Sequence, residues 1–447
     1  MLGGSDPGLV AASALAIGLS IWLIVKAGLH PFIGLLCGAF VMGLLTGMQP
    51  QDTARAIQQG FGDVMAGAGI VIALGLTLGA MLQFSGAAGA IAQSALRVVG
   101  VRHAGWGSLG AAMLIGLPLF FETGVVLLLP IVAAAAAKLP SARTGAGIAL
   151  MLPALAGLSI LHALLPPHPG PLLAVHELGA DIGRTMLYGL VIAVPTAIIA
   201  GPFFARHAAR WVSVGAGAAA QPQAHLPAPP LGVALTVILL PIVLIAANAA
   251  RDLMPAAAAA RLSWLAPLGH PVTALLIANI VGLALLFRRG AWNADTAAQI
   301  WREAMAPAGS ILLSIGAGGA LKQVLVAAGM ANAVSRFADT GVLPPLVTAW
   351  CMAVLIRVST GSATVATITA AGLMPGIVAR TGTSPEWTVL AIGAGSLFFS
   401  HVNDAGFWLV KGYLGTSTAD TFKTWSLLET LISVVGLLLV LAASRIW

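Results

Sequence analysis

Residues 164–171 read LLPPHPGP, with four prolines and a histidine in eight positions. They follow GIALMLPALAGLSILHA (147–163), an uncharged run suited to crossing a membrane. Proline removes a backbone donor and clashes with the preceding turn, so the helix must break here. Inside hydrocarbon the carbonyls of Ala163 to Leu165 would then be costly against lipid. The break at Pro166, Pro167 and Pro169 is therefore expected to line a protein-enclosed or wet cavity. A second break of this kind is FFSHVNDAGFWL (398–409), where His401, Asn403, Asp404 and Gly406 interrupt another apolar run.

Composition supports the membrane setting. Of 447 residues, 59% are hydrophobic and 8% are charged, against roughly a quarter charged in a soluble domain. Charge-free segments at 64–96, 185–205, 211–250, 262–287 and 430–444 with its flanks reach the ~20 residues that span a bilayer. The formal charge of +7 is spread through short connections with no basic, aromatic-interleaved stripe, so nucleic acid is not an expected partner. Cys37 and Cys351 lie far apart in apolar segments, and neither a disulfide framework nor a CxxC metal site is indicated. The first apolar segment lacks the basic flank and cleavage site of a signal peptide, and reads as a retained span.

An internal repeat organises the chain. HPFIGLLCGAFVMGLL from His30 returns as HPVTALLIANIVGLAL from His270, and the same 240-residue offset places Gly69, Gly79, Ala80, Gln83 and Gly89 on Gly309, Gly319, Ala320, Gln323 and Gly329. Two halves follow, 1–206 and 231–447, with a Pro-, Gly- and Ala-rich cytoplasmic linker over 207–230. The first half holds spans near 8–27, 31–49, 64–84, 144–180 and 185–205, the fourth of them broken, plus a segment 106–138 read as a hairpin that enters and leaves on one side. Five crossings per half invert the second half relative to the first, the plan of many secondary transporters. The fold expected is an all-α polytopic membrane protein of two inverted-topology repeats, each with a re-entrant helical hairpin and a broken transmembrane helix. In the first half Lys26, Arg97, Arg102, Lys138, Arg143 and Arg206 outnumber Arg55 and Arg184, which puts the first loop in the cytoplasm and both termini outside.

Each hairpin carries a polar interruption. In GLPLFFETGVVLLLP (116–130), Glu122 is the only Asp, Glu, Lys or Arg between Arg102 and Lys138; in LIRVSTGSATVATITAAG (355–372), Arg357, Ser359, Thr360, Ser362 and Thr364 surround Gly361. Short helices that end at such tips leave backbone amides free to hold an anion. Substrate contacts are therefore expected from Arg357, Ser359, Thr360, Gly361, Ser362, Thr364, His401, Asn403, Thr123 and His168. Arg357 suits a carboxylate through its planar fork, with an internal salt bridge to Glu122 or Asp404 as its plainer role. Asp404 and Glu122 are the expected proton carriers, with helix capping and a backbone hydrogen bond as the alternatives, and His168 is a candidate relay. His162 reads as a packing residue. Lys322 is read as internally paired or snorkelling. The hydroxyls also have a plainer role, satisfying carbonyls within membrane helices.

Seven motifs, in order along nearly the whole chain, are GLPLFFETG (116–124), LHALLPPHPGPL (161–172), LGADIGRTMLYGL (178–190), PTAIIAGP (195–202), GAGGALKQVLVAAG (316–329), RVSTGSATVA (357–366) and SHVNDAGFWL (400–409). In these the chain resembles the gluconate permease family of bacterial sugar-acid:proton symporters. The resemblance implies an inner-membrane carrier for gluconate or a related hydroxy acid, with no cofactor. It also implies a hairpin-bearing transport domain that moves past a scaffold, usually in a homodimer. A small polar amino acid such as D-serine is the alternative substrate. An intramembrane zinc enzyme built on Glu122, His168, His401 and Asp404 lacks HExxH or GxSxG spacing. A passive anion channel would instead call for pore-lining rings repeated by oligomer symmetry.

Overall fold

A computed structural model describes residues 5–100, 103–117, 119–137, 145–166, 168–213, 228–252, 254, 256–287, 292–330, 332–333, 336, 343–401 and 404–446. Helix α1 (Asp6–Val25) starts where the Ser5 side chain accepts from the Gly8 amide. Helix α2 (Pro31–Thr46) follows a His30 cap and places proline in its first turn, where an amide would have no helical partner. Helix α3 (Pro50–Val64) continues through a π turn (Met65–Gly69) into α4 (Ile70–Phe84). The span expected at 64–84 is thus the second part of a longer rod. Its first part is amphipathic: Thr53, Ala56, Gly60 and Val64 are buried along one stripe at helical spacing, while Asp52, Arg55 and Asp63 interrupt the apolar run in sequence.

Helix α5 (Ala87–Val99) leaves α4 at an angle of 66°, turning at Gly86, whose φ of +72° costs glycine little. Helices α6 (Ala104–Ile115) and α7 (Phe121–Ala137) form the first hairpin, close to the limits expected. Helices α8 (Ala146–Leu164) and α9 (Pro169–Leu178) are the two parts of the first broken span, and α10 (Ile182–Ile198) extends through a π turn to Ala208. The linker expected at 207–230 lies largely outside the described residues.

The second half repeats this order. It comprises α11 (Leu231–Asp252), α12 (Pro271–Leu286), the 34-residue α13 (Ala294–Ala327), and the hairpin of α14 (Pro345–Thr360) with α15 (Ala363–Leu373) and its bent continuation α16 (Pro375–Thr381). The broken pair α17 (Pro385–Gly395) and α18 (Ala405–Leu414) follows, and then α19 (Leu427–Ala443). Contacts exchange between halves: α2 packs on α13 and α12 on α4, while α15 packs on α9 and α7 on α18. The described residues are helical and contain no strand, with five helices long and apolar enough to cross a membrane and up to seven if bent pairs are counted. This is the expected all-α, broken-helix architecture.

Apolar packing divides into two clusters. The smaller joins α1, α2 and α3 to the C-terminal part of α13 through Leu9, Leu35, Met42, Ala56 and Leu321. The larger takes in the hairpins and broken helices. The α3–α13 crossing is close enough that a Cβ on Gly319 would lie 2.4 Å from Val64 Cγ2 and 2.6 Å from the Gly60 carbonyl oxygen.

Candidate functional site

A cavity of about 220 Å³ opens between the two clusters, far more than the ~10–15 Å³ that one water needs. One wall is mainly apolar, supplied by α1, α2 and α13 through residues such as Ile17, Ile24, Leu35 and Ile315. The facing wall carries Glu122, His162, Ser362, Thr364 and Thr369. The second hairpin presents its polar wall because Gly361 ends α14 in the left-handed region at φ +72°. Ser362 then caps α15, its side chain accepting from the Val365 amide at 3.3 Å. An α15 N-terminus and the first turn of α7, which carries Glu122, therefore meet one space.

Two buried polar atoms on this wall, His162 Nδ1 and Thr369 Oγ1, have no hydrogen-bond partner among the described residues. Of these, His162 reads from the sequence as a packing residue, and Thr369 is not singled out there. Thr369 lies seven residues from Ser362, two turns along the same helix face, and that period was the available signal. Of the two neighbouring histidines, His162 lines the cavity and His168 does not.

The first break is buried. Leu165 takes an extended conformation after α8, His168 precedes Pro169 at the start of α9, and the two residues are 1% and 2% exposed. His168 Nε2 donates to the Gly116 carbonyl at 2.9 Å, pinning the break to the end of the first hairpin's α6. Of the break's described residues, Pro169 alone lines the cavity. His168 is thus not among the residues that line this cavity, and Pro167 lies outside the described residues.

The second break is held by charge. Asp404 caps α18, with Oδ1 accepting from the Gly406 amide at 2.8 Å. Its Oδ2 accepts from Ser400 Oγ and from Arg357 Nη2. Arg357 Nη1 donates to the Gly361 carbonyl, while its Nε has no partner among the described residues. Phe399, at φ +46°, stores local strain in the turn. Arg357 is 3% exposed and does not line the cavity, so of its two expected roles the structure displays the internal salt bridge. His401 Nε2 donates to the Val358 carbonyl at 3.0 Å, also away from the cavity. Thr123 is half-buried beside Glu122 and does not line the cavity. Ser359 and Thr360 close α14, but their side chains, like all of Asn403, lie outside the described set.

Two further acids, Glu177 half-buried and Glu429 buried, are not singled out in the sequence reading. Glu177 of α9 accepts from Lys322 Nζ at 2.7 and 2.9 Å, so Lys322 is paired rather than snorkelling. Glu429 of α19 is 1% exposed and accepts from Ser159 Oγ of α8 at 2.6 Å. The criterion that selected Glu122 also fits Glu429, the only charged side chain between Lys423 and Arg445. Among the described residues no three His, Cys, Asp or Glu side chains come together to hold a metal.

Residues 9–446 match a family described as GntP family permease. The chain is 42% identical over 445 residues to a gluconate permease of Pseudomonas aeruginosa, covering 98% of each chain. It is 36% identical to the Gnt-II system L-idonate transporter of Escherichia coli, covering 97% of this chain and 98% of that one. Identity to that organism's high-affinity gluconate transporter is also 36%, over 95% and 96% of the two chains. Among solved structures, the Alcanivorax borkumensis YdaH transporter, described as having an unusual topology, aligns with a TM-score of 0.63 at 16% identity, covering 94% of this chain and 99% of that one; this likeness is one of fold.

Proposed function

The chain belongs to the GntP family of permeases, and on that premise we propose that it imports gluconate or a closely related sugar acid together with protons. It is a multi-pass membrane transporter and not an enzyme. The observation that carries the substrate reading is the polar wall of the cavity, where Ser362, Thr364, Thr369, His162 and Glu122 face one space. Hydroxyls and an imidazole match a polyol chain, and the α15 N-terminus offers partial positive charge to a carboxylate. L-idonate, which names one relative, has the same chemistry.

Glu122 supplies the first coupling step. A substrate carboxylate beside it repels its charge, so the anion binds best when Glu122 carries a proton. Asp404 is poorly suited to this task, because it accepts from three donors, one of them Arg357. The mainly apolar wall of α1, α2 and α13 serves as the surface past which the hairpin-bearing body moves, and the separate apolar clusters suit such motion. We place the protein in the bacterial inner membrane as a homodimer, with halves 1–206 and 231–447 and both termini outside.

The test is a thermal-shift panel of sugar acids and small amino acids on purified protein. A ligand at 100 times its dissociation constant stabilises by about 2.7 kcal/mol. Stabilisation by gluconate or idonate is expected, and a panel in which only amino acids stabilise overturns the substrate class. Labelled gluconate uptake into proteoliposomes, accelerated by an inward proton gradient, is the expected coupling result; dependence on sodium with no response to pH defeats it.

A further inference from the structure

We infer that Glu429 is a second proton-binding site of the transport cycle, served from the cavity through His162 and Ser159, so that uptake of a monoanion moves net positive charge inward. The inference rests on the proton-coupled reading above and adds a residue that reading does not use.

Geometry carries the argument. Glu429 stands in the first turn of α19, 1% exposed, and its one hydrogen-bond partner among the described residues is the Ser159 hydroxyl at 2.6 Å. An acid removed from water inside a membrane helix, with no cation in contact, marks a functional position. A serine hydroxyl both donates and accepts, and so can pass a proton in either direction. Ser159 and His162 are three residues apart on α8 and share a face of that helix. His162 lines the cavity and has a buried, unpartnered Nδ1. It also lies within electrostatic reach of Glu122. The cavity-lining imidazole and the hydroxyl that bonds the buried acid thus stand one helical turn apart on α8.

The surroundings leave Glu429 free to change charge. Helix α19 packs on α8, α10, α14 and α17 and on the π turn before it, Phe422–Ser426. From α14 and the second break, Arg357 and Asp404 act on Glu429 at a distance but are already paired with each other. Lys423 of the π turn pairs with Asp420. On α17, Glu386 is engaged by Ser384 and the Asp181 amide; on α10, Arg184 and Tyr188 stand near the helix start, Tyr188 stacked on Trp387. Protonation of Glu429 from the cavity side, and its release after the hairpin-bearing body moves, adds one positive charge to each cycle. With a single proton at Glu122 a monoanion crosses without net charge, whereas a second proton lets the membrane potential drive uptake.

The experiment uses the purified full chain in proteoliposomes with labelled gluconate. The wild type is expected to concentrate gluconate under an inward proton gradient and also, at equal pH, under an inside-negative potassium diffusion potential. Glu429→Gln should retain gluconate exchange and pH-driven uptake while losing the response to potential. Ser159→Ala, which removes the hydroxyl and keeps the acid, should shift the pH of half-maximal uptake, whereas a purely structural role for Ser159 lowers the rate equally at every pH. A wild type driven by pH but indifferent to potential overturns the second site alone, as does a Glu429→Gln protein that still responds to potential. An unchanged pH profile in Ser159→Ala does the same if Glu429→Gln does not fold. No wild-type response to pH removes proton coupling altogether.

Discussion

Arg357 and Asp404, 47 residues apart in sequence, form a largely buried ion pair that ties the end of α14 at the second hairpin's tip to the start of α18 beyond the second break. Breaking such a pair by removing one partner costs about 3–5 kcal/mol, because the other charge stays buried. Arg357→Met and Asp404→Asn should each lower thermal stability in detergent by that order, the asparagine still serving as a cap. The double variant should be less destabilised than the two losses added together. Additive losses in this double-mutant cycle, or wild-type stability in Asp404→Asn, remove the pair from its anchoring role.

Thr369 presents a hydroxyl to the cavity without a partner among the described residues. Thr369→Val keeps the branched shape and deletes the group. Since one hydrogen bond contributes about 0.5–1.5 kcal/mol net, gluconate affinity measured by calorimetry should fall by up to about tenfold. The empty protein should melt at the same temperature or higher. Unchanged affinity would place the substrate away from α15.

The two neighbouring histidines should separate cleanly. His168→Phe strips the Gly116 carbonyl of its partner, at a cost of about 1–3 kcal/mol for a buried polar group left unsatisfied. It should lower stability without moving the pH profile of uptake. His162→Gln should move that profile with a smaller loss of stability. The reverse pattern would restore His168 as the relay.

Accessibility distinguishes the hairpin from the break. With Cys37 and Cys351 replaced by serine, Thr364→Cys should react with a membrane-impermeant thiol reagent from one side, and bound gluconate should slow it. Leu165→Cys should stay unreactive, because that position is 1% exposed. Rapid labelling at Leu165 would reopen the first break as a cavity wall.

Gly319→Ala tests the α3–α13 crossing. The new methyl meets the Gly60 carbonyl and Val64 within 2.6 Å, so the helices must part, at a cost of about 1–3 kcal/mol for overpacking. A lower melting temperature with unchanged ligand specificity is the expected pair of readings; wild-type stability would show that the crossing yields freely.

Some of this protein is written in local chemistry. Apolar runs bounded by charges, the prolines at 166–171, the repeat from His30 to His270 and the glycine at 361 give helices, breaks and a hairpin turn, because each depends on a few adjacent residues and on the rule that buried backbone must be bonded. The polar hairpin tip was legible for the same reason: Ser362 and Thr364, beside the αL glycine, do reach the cavity.

What the chain alone left open was the direction each polar group faces once distant helices meet. His162 and His168 are six residues apart in one apolar stretch, and only the packing of α6, α7 and α8 gives one to the cavity and the other to the Gly116 carbonyl. Arg357 had two roles open until the second break brought Asp404 within reach of its guanidinium, and Glu429 acquired a partner only when Ser159, 270 residues away, was placed against it. The sequence by itself determined the membrane class, the repeated element order and the positions of the breaks, because bilayer span and backbone satisfaction act over short stretches. The tertiary structure decided which charges neutralise one another and which polar atoms face the cavity, because ion pairs and cavity walls are made between segments whose approach no local pattern encodes.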